Sequence, residues 1–254
     1  MMKIAIVTGA SSGIGREYVK QLSELYELDE IWAIARREER LEELKSITKT
    51  PVVPISLDIT DKYTDEKIKN ILSEITPDVR VLVNAAGCGR LGAFEDIGLS
   101  DHEEMLELNI NALTKITSRV LLYMSEGSEI FFMASRSAFH PVPYISTYAA
   151  TKSYVLSFSR ALGRELRYRK IRTIAVSPGW VRTEFLDKAT VREGVITYYN
   201  NFTTAERVVK QSFKDIKRKK DISICGLSTR LQVLAAKLLP HKFVMWIWCK
   251  QQNK

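Results

Sequence analysis

Apolar and polar positions along this chain follow two periods. Short apolar runs rich in Val and Ile recur at Lys3–Thr8, Ile31–Ala35, Val52–Ser56, Val79–Asn84, Glu129–Ala134, Ile171–Ser177 and Asp221–Cys225. Runs this short and this apolar predict strands buried on both faces. Between them, apolar residues recur three and four apart over Ile14–Leu28, Glu38–Ile47, Lys62–Ile75, Asp101–Met124, Thr147–Arg169 and Ala205–Lys219. That spacing predicts helices with one buried face. Strands alternating with helices need crossover connections, and these give a doubly wound parallel β-sheet with helices on both sides. A chain of 254 residues fits one such α/β domain, 1–254, and shows neither a low-complexity linker nor a repeat of solenoid period.

Two stretches fall outside the alternation. Residues 183–203 have no place in the sheet, and ligands of such folds bind beyond the carboxyl ends of the strands. A substrate lid is therefore expected there. Residues 228–254 form a C-terminal extension. In it Leu231, Leu234, Leu238, Leu239, Phe243, Val244, Trp246, Ile247 and Trp248 are interrupted by Lys237, Pro240, His241 and Lys242. The interruptions exclude a spanning helix and predict two short amphipathic helices meeting at Pro240. Burial against the protein or a second subunit is expected for this run; peripheral contact with an anionic membrane is the alternative.

Charge sharpens the contrast. Residues 1–204 hold 26 Lys and Arg against 27 Asp and Glu, a balance of −1, whereas residues 205–254 hold 12 against 3, a balance of +9. The body of the protein thus offers no basic surface for nucleic acid, and the tail carries no nucleic-acid-reading motif. Cys88, Cys225 and Cys249 are scattered without paired spacing, so neither a disulfide framework nor a metal site is expected, and a reducing cytoplasm fits. The first apolar run is too short for a signal peptide.

The chemistry begins after the first strand. Gly9-Ala10-Ser11-Ser12-Gly13-Ile14-Gly15 joins a strand to a helix, the context of a dinucleotide fingerprint. Gly9 suits the tight turn, Gly13 the approach of a pyrophosphate, and Gly15 close packing of helix on strand. Free N–H groups at the helix start would meet the phosphate charge. Further on, Tyr148 and Lys152 lie four apart on a helix and share a face. A tyrosine pKa of about 10 is too high for a base at neutral pH. A neighbouring ammonium would lower it, and reaching ~7 takes about 4 kcal/mol. Ser135, at a strand's carboxyl end, would hold a carbonyl or hydroxyl oxygen, and Asn109 would anchor a water linking Lys152 to solvent. Asn111 competes for the second role.

Together these residues resemble a short-chain dehydrogenase/reductase, over most of the chain. Thr8-Gly9-Ala10-Ser11-Ser12-Gly13-Ile14-Gly15 is similar to the family's TGxxxGxG. Asn84-Ala85-Ala86-Gly87 is similar to its NAG motif, Tyr148 to Lys152 to YxxxK, and Pro178-Gly179 through Val181 to Thr183 to the PGxxxT segment beside the nicotinamide. Asn109, Ser135, Tyr148 and Lys152 then match the catalytic tetrad, with Lys152 also on the nicotinamide ribose. The resemblance implies a Rossmann-type fold, a homodimer or homotetramer, and Asp58, in Leu57-Asp58-Ile59, near the adenine.

The second strand ends in Arg36-Arg37, where an NAD enzyme places an acid. Guanidinium groups suit a 2′-phosphate, so NADP(H) is expected over NAD(H), with Arg36 foremost and Ser11 nearby. Phe185 and Tyr198 in the lid, with the aromatic residues before Tyr148, suggest a mostly apolar, sizeable alcohol or ketone, a steroid-like one among the candidates; ordinary lid packing explains them equally well. His140 reads as a loop residue. The expected activity is NADP(H)-dependent interconversion of a secondary alcohol and a ketone. A 3-oxoacyl-thioester reductase of lipid synthesis and a non-catalytic NADP(H) sensor are the alternatives, and the complete tetrad speaks against the second.

Overall fold

The computed structural model describes residues 1–191, 195–199 and 201–254. A seven-stranded parallel sheet runs in the order β3-β2-β1-β4-β5-β6-β7, built from β1 (Lys3–Thr8), β2 (Glu30–Ala35), β3 (Val52–Ser56), β4 (Asp78–Asn84), β5 (Glu129–Met133), β6 (Arg172–Val176) and β7 (Ile222–Ser223). The chain winds outward from β1 to β3, then returns to the other side of β1 with β4. That reversal opens a crevice beyond the ends of β1 and β4.

Alternation along the strands builds two cores. Ala5 and Val7 of β1 and Phe131 and Met133 of β5 face one side. There they meet α1 (Gly13–Leu25) and α8 (Ala205–Lys217) through Tyr18, Leu22, Val209 and Phe213. Tyr18 and Ser212 share a 2.6 Å hydrogen bond across this layer. Ile4, Ile6, Ile130 and Phe132 face the other side, covered by α3 (Thr64–Ile75), α5 (Leu113–Leu121) and α6 (Ser146–Glu165). α2 (Glu38–Lys45) closes the β2–β3 end, and β7 is a two-residue edge.

One helix departs from its pattern. Asp101–Met124 was expected to be continuous, but α4 (Leu99–Leu106) and α5 are joined by a π-helical turn over Glu107–Ala112. The wider turn carries Asn109, which is fully buried. The other helices end two to four residues earlier than periodicity suggests, except α3, which ends at Ile75 as expected. α1 stops at Leu25 because Tyr26 turns extended and gives its hydroxyl hydrogen to buried Glu129, which also pairs with Arg172 at 2.6 Å.

In the region expected to be a lid, the described residues include a short helix, α7 (Glu184–Ala189); Arg192–Gly194 and Asn200 lie outside the described residues. The C-terminal extension forms two helices meeting at Pro240, α9 (Leu227–Leu238) and α10 (His241–Gln251). Of the apolar residues expected to be buried there, only Trp248 is; Val244 and Ile247 are half-buried and the rest exposed. Trp248 is 7% exposed and donates its indole N–H to the Pro143 carbonyl at 2.9 Å. It packs with Leu91, Ile145 and Ile196 in a third, smaller cluster. A single stripe of each helix reaches the body, so the leucines on the far side of α9 stay in solvent.

Candidate active site

The crevice at the reversal of winding is a cleft of about 610 Å³. Its floor is a set of close backbone approaches. Gly9 has φ +68°, and a Cβ there would lie 2.7 Å from the amide nitrogen of Ala86. A Cβ on Gly15 would lie 2.2 Å from the Gly9 carbonyl oxygen. Both contacts exclude any side chain, which fixes the loop's sequence. Behind the loop, the Thr8 hydroxyl accepts from the Ala86 amide at 3.2 Å and bridges β1 to β4. Ser12 makes no side-chain capping bond to α1, so the N–H groups of the first turn face the cleft uncapped.

Ser11, Ser12, Gly13 and Ile14 line the cleft with Gly9 and Gly15, as do Arg36, Arg37, Asp58, Ile59, Ala85, Gly87, Ser135, Tyr148, Lys152, Pro178, Gly179, Val181, Thr183 and Phe185. The structure therefore brings nearly all the residues singled out in the sequence to one cavity. Thr8, Asn84 and Asn109 stand behind its wall; Asn84 donates from Nδ2 to Thr117 at 3.0 Å. Tyr198 is also absent from the lining. Its backbone is held by Gln252, whose Oε1 accepts from the Tyr198 amide at 3.0 Å, and its ring is about half exposed.

At the cofactor end, Arg37 donates to Glu184 at 2.8 Å and to the Ser11 hydroxyl at 3.3 Å. Arg36 pairs with Asp58 at 3.6 Å and is 66% exposed at the side chain. Burial would raise the Asp58 pKa, but hydrogen bonds from Thr60 and the Arg36 charge outweigh it and hold the carboxyl below its usual range.

At the other end, Tyr148 and Ser135 line the same part of the cleft, and the Ser135 hydroxyl accepts from the Ser137 amide at 3.2 Å. The Lys152 ammonium lies 5.7 Å from the Tyr148 ring centroid and donates to the Met133 carbonyl at 2.9 Å. The expected lowering of the tyrosine pKa is not found. Burial pushes Tyr148 up to about 12, more than the nearby Ser135 hydroxyl lowers it. Burial also brings Lys152 down to about 8, so much of its charge is lost just above neutral pH, and its amine is turned toward Met133. Phe185 covers the phenol, the ring centroids 5.6 Å apart.

Asn109 supports this end from within. Its Oδ1 accepts from the Cys88 amide at 3.0 Å, and its Nδ2 donates to the Cys88 carbonyl at 2.8 Å and to Thr151 at 3.0 Å. The side chain thus fastens the Ala85–Cys88 loop to α6. A Cβ on Gly87 would lie 3.0 Å from Asn109 Oδ1 and 3.2 Å from Lys152 Nζ, so glycine keeps this floor open. Asn111 points outward to Glu107.

The family model for short chain dehydrogenase matches residues 3–194. The chain belongs to the short-chain dehydrogenase family. It is 30% identical over 218 residues to an NADP-dependent 3-hydroxy acid dehydrogenase of Schizosaccharomyces pombe, covering 83% of this chain and 80% of that one. It is 32% identical over 187 residues to a serine 3-dehydrogenase of Agrobacterium fabrum, covering 71% and 72%. A short-chain dehydrogenase from Sphingobium yanoikuyae, solved in complex with NADPH, superposes with a TM-score of 0.78 at 24% identity over 96% of both chains.

Several cleft residues of this dehydrogenase carried no signal in the sequence. Cys88, Arg90, Glu104, Arg136, Trp180 and Glu184 all reach the lining. Burial pushes the Cys88 thiol up to about 11, which leaves it un-ionised near neutral pH. Trp180 buries an indole N–H that finds no partner among the described residues. His140 lies outside the lining; burial, with the charges of Arg136 and His241, pushes it down to about 4. Only the folded chain brings these residues together, since their neighbours in space lie far away in sequence.

Proposed function

We propose that this dehydrogenase interconverts a secondary alcohol and a ketone using NADP(H). The observation that carries the reading is the Tyr148–Ser135 pair, at the foot of a cleft that runs back to Arg36 and Arg37. The residues present fit the cofactor. Gly13 and the uncapped start of α1 would take the pyrophosphate, Arg36 and Arg37 the 2′-phosphate, Asp58 and Ile59 the adenine end, and Lys152 the nicotinamide ribose. When bound, the nicotinamide supplies or accepts the hydride.

The chain's own residues handle the proton and the oxygen. Tyr148, pushed up to about 12, is a protonated phenol at neutral pH and suits proton donation to a carbonyl oxygen. The Ser135 hydroxyl holds that oxygen beside the phenol. In the reverse direction Tyr148 takes the proton, which requires its pKa to fall when the cationic nicotinamide is near. Gly87 leaves room for the Lys152 amine, and Asn109 holds the neighbouring Thr151. Phe185, Leu186, Leu91 and Ile145 make the substrate side of the cleft largely apolar, which favours a ketone with apolar substituents.

NADPH oxidation with a panel of apolar ketones, steroid ketones, 3-oxo acids and 3-oxoacyl thioesters tests the reading. Turnover of apolar ketones above the rest supports it. Turnover of acyl thioesters alone would give the reaction to lipid synthesis, and cofactor binding without any turnover would make the protein a sensor.

A further inference from the structure

The last two helices show an apolar face that the rest of the chain leaves uncovered. On α9, Leu227, Leu231, Leu234 and Leu238 recur four, three and four apart, one stripe, and are between 52% and 74% exposed. The opposite stripe, Thr229, Val233 and Ala236, is buried. Beyond Pro240 the exposure continues on α10 with Phe243 and Trp246, stacked at 5.8 Å. So many large apolar side chains in water mark a surface for a partner.

Charge identifies the partner. From Ile222 to Lys254 the chain contains no Asp or Glu, but it contains Arg230, Lys237, Lys242, Lys250 and Lys254. A second copy of this chain meeting the face symmetrically would bring cations to cations with no side-chain anion between them. An anionic lipid surface supplies both an apolar layer for the leucines and negative headgroups for the lysines. The side chains are arranged for such a boundary: Lys250 stands 5.1 Å above the Trp246 ring, its ammonium over an apolar body. Among the described residues no helix is long and apolar enough to cross a membrane, so the contact is with the surface.

We propose that the α9–α10 face docks the protein on anionic membranes. α9 packs on the Arg136–Phe139 turn and Trp248 on Pro143, so the docked face adjoins the segment between Ser135 and Tyr148.

The test is co-sedimentation of the full chain, without cofactor or substrate, with phosphatidylcholine vesicles that contain or lack phosphatidylglycerol. Binding is expected only with phosphatidylglycerol and weakens as salt is raised. Leu231→Ser/Leu234→Ser should lower partitioning by at least about tenfold, since withdrawing two half-inserted leucines removes that much. Lys242→Glu/Lys250→Glu should lower it to a similar extent. Both pairs are exposed, so melting temperature and NADPH turnover with a soluble ketone stay at the wild-type level. Equal partitioning of wild type and both variants overturns the proposal. So does a leucine variant whose mass in solution falls below that of the wild type, because the face would then join copies of this chain. Vesicle binding and turnover are read separately, so either can fail without the other.

Discussion

The two ends of this molecule are made of different materials. The glycine-loop end is shaped by backbone: at Gly9 and Gly15 the space for a side chain is already taken by main-chain atoms. The C-terminal end is shaped by side chains: Trp248 on Pro143, Gln252 on the 197–198 backbone, and a leucine stripe with nothing over it. Backbone contacts admit one residue type and leave a motif. Side-chain contacts admit many solutions and leave only a composition. The site proposed for chemistry lies between: Tyr148 packs in the same cluster as Trp248, and Tyr148 and Lys152 line the same cleft as the glycine loop.

Trp248→Ala strikes the side-chain end hardest. Removing a buried tryptophan and its hydrogen bond should destabilise the protein by about 3–5 kcal/mol, read by denaturant unfolding. Cofactor affinity, read by fluorescence titration, should stay near wild type. If affinity falls in step with stability, the two ends are one unit and the contrast is wrong.

Lys152→Met probes the boundary by pH. The native pKa of Lys152 is depressed from 10.5 to about 8, so the folded state resists its charge. Below about pH 8 both states hold the proton and the native state bears the whole penalty, about 3 kcal/mol. Between about pH 8 and 10.5 the native state releases the proton first, and the penalty shrinks as pH rises. The variant's stability advantage over wild type without cofactor should therefore be largest below pH 8 and decline above it. A flat difference would show that Lys152 is not held against its charge. Tyr148 titrates in both proteins and drops out of the comparison.

Tyr148→Phe should lower turnover at least ~10²-fold, the lower range for a positioned proton donor, with cofactor affinity kept. Near-normal turnover would remove the phenol from the proton path. Gly15→Ala should do the opposite. It forces the backbone apart at Gly9, costing about 1–3 kcal/mol of stability and weakening the cofactor more than the substrate. Arg36→Asp has the smallest expected effect: a roughly tenfold shift in kcat/KM preference from NADPH toward NADH, the scale of one charge-assisted contact on an exposed group. An unchanged ratio would place the phosphate on Arg37.

The same contrast explains what was legible beforehand. The strands were readable because Ile4, Ile6, Ile130 and Phe132 are buried on one face and Ala5, Val7, Phe131 and Met133 on the other, leaving no polar position to confuse the pattern. The glycine loop was readable for the steric reason just given. The π turn was not, since Met105, Asn109, Ala112 and Ile116 keep ordinary helical spacing and the extra width comes from how Asn109 reaches Cys88. Nor was the balance of forces on Tyr148. Spacing brought Lys152 to the same helix face, but burial, which only the folded chain creates, sets the direction of both shifts. Tyr198 was placed by composition alone; Gln252, more than fifty residues later, holds its backbone at the rim.

The π turn also makes the length of one helix a fixed quantity. A helix advances by about 100° per residue, so the extra residue taken up between Glu107 and Ala112 sets the phase of all that follows. Met105 upstream and Leu113, Ile116 and Val120 downstream are buried in the phase that this residue count gives. Shortening the segment by a single residue would leave a better helix in isolation and a worse protein. Either α5 would swing its apolar stripe off the sheet, or Asn109 would turn away from Cys88 and free the loop beneath Lys152. At this point in the chain, a deletion disturbs more than a substitution at an exposed position such as Asn111 would.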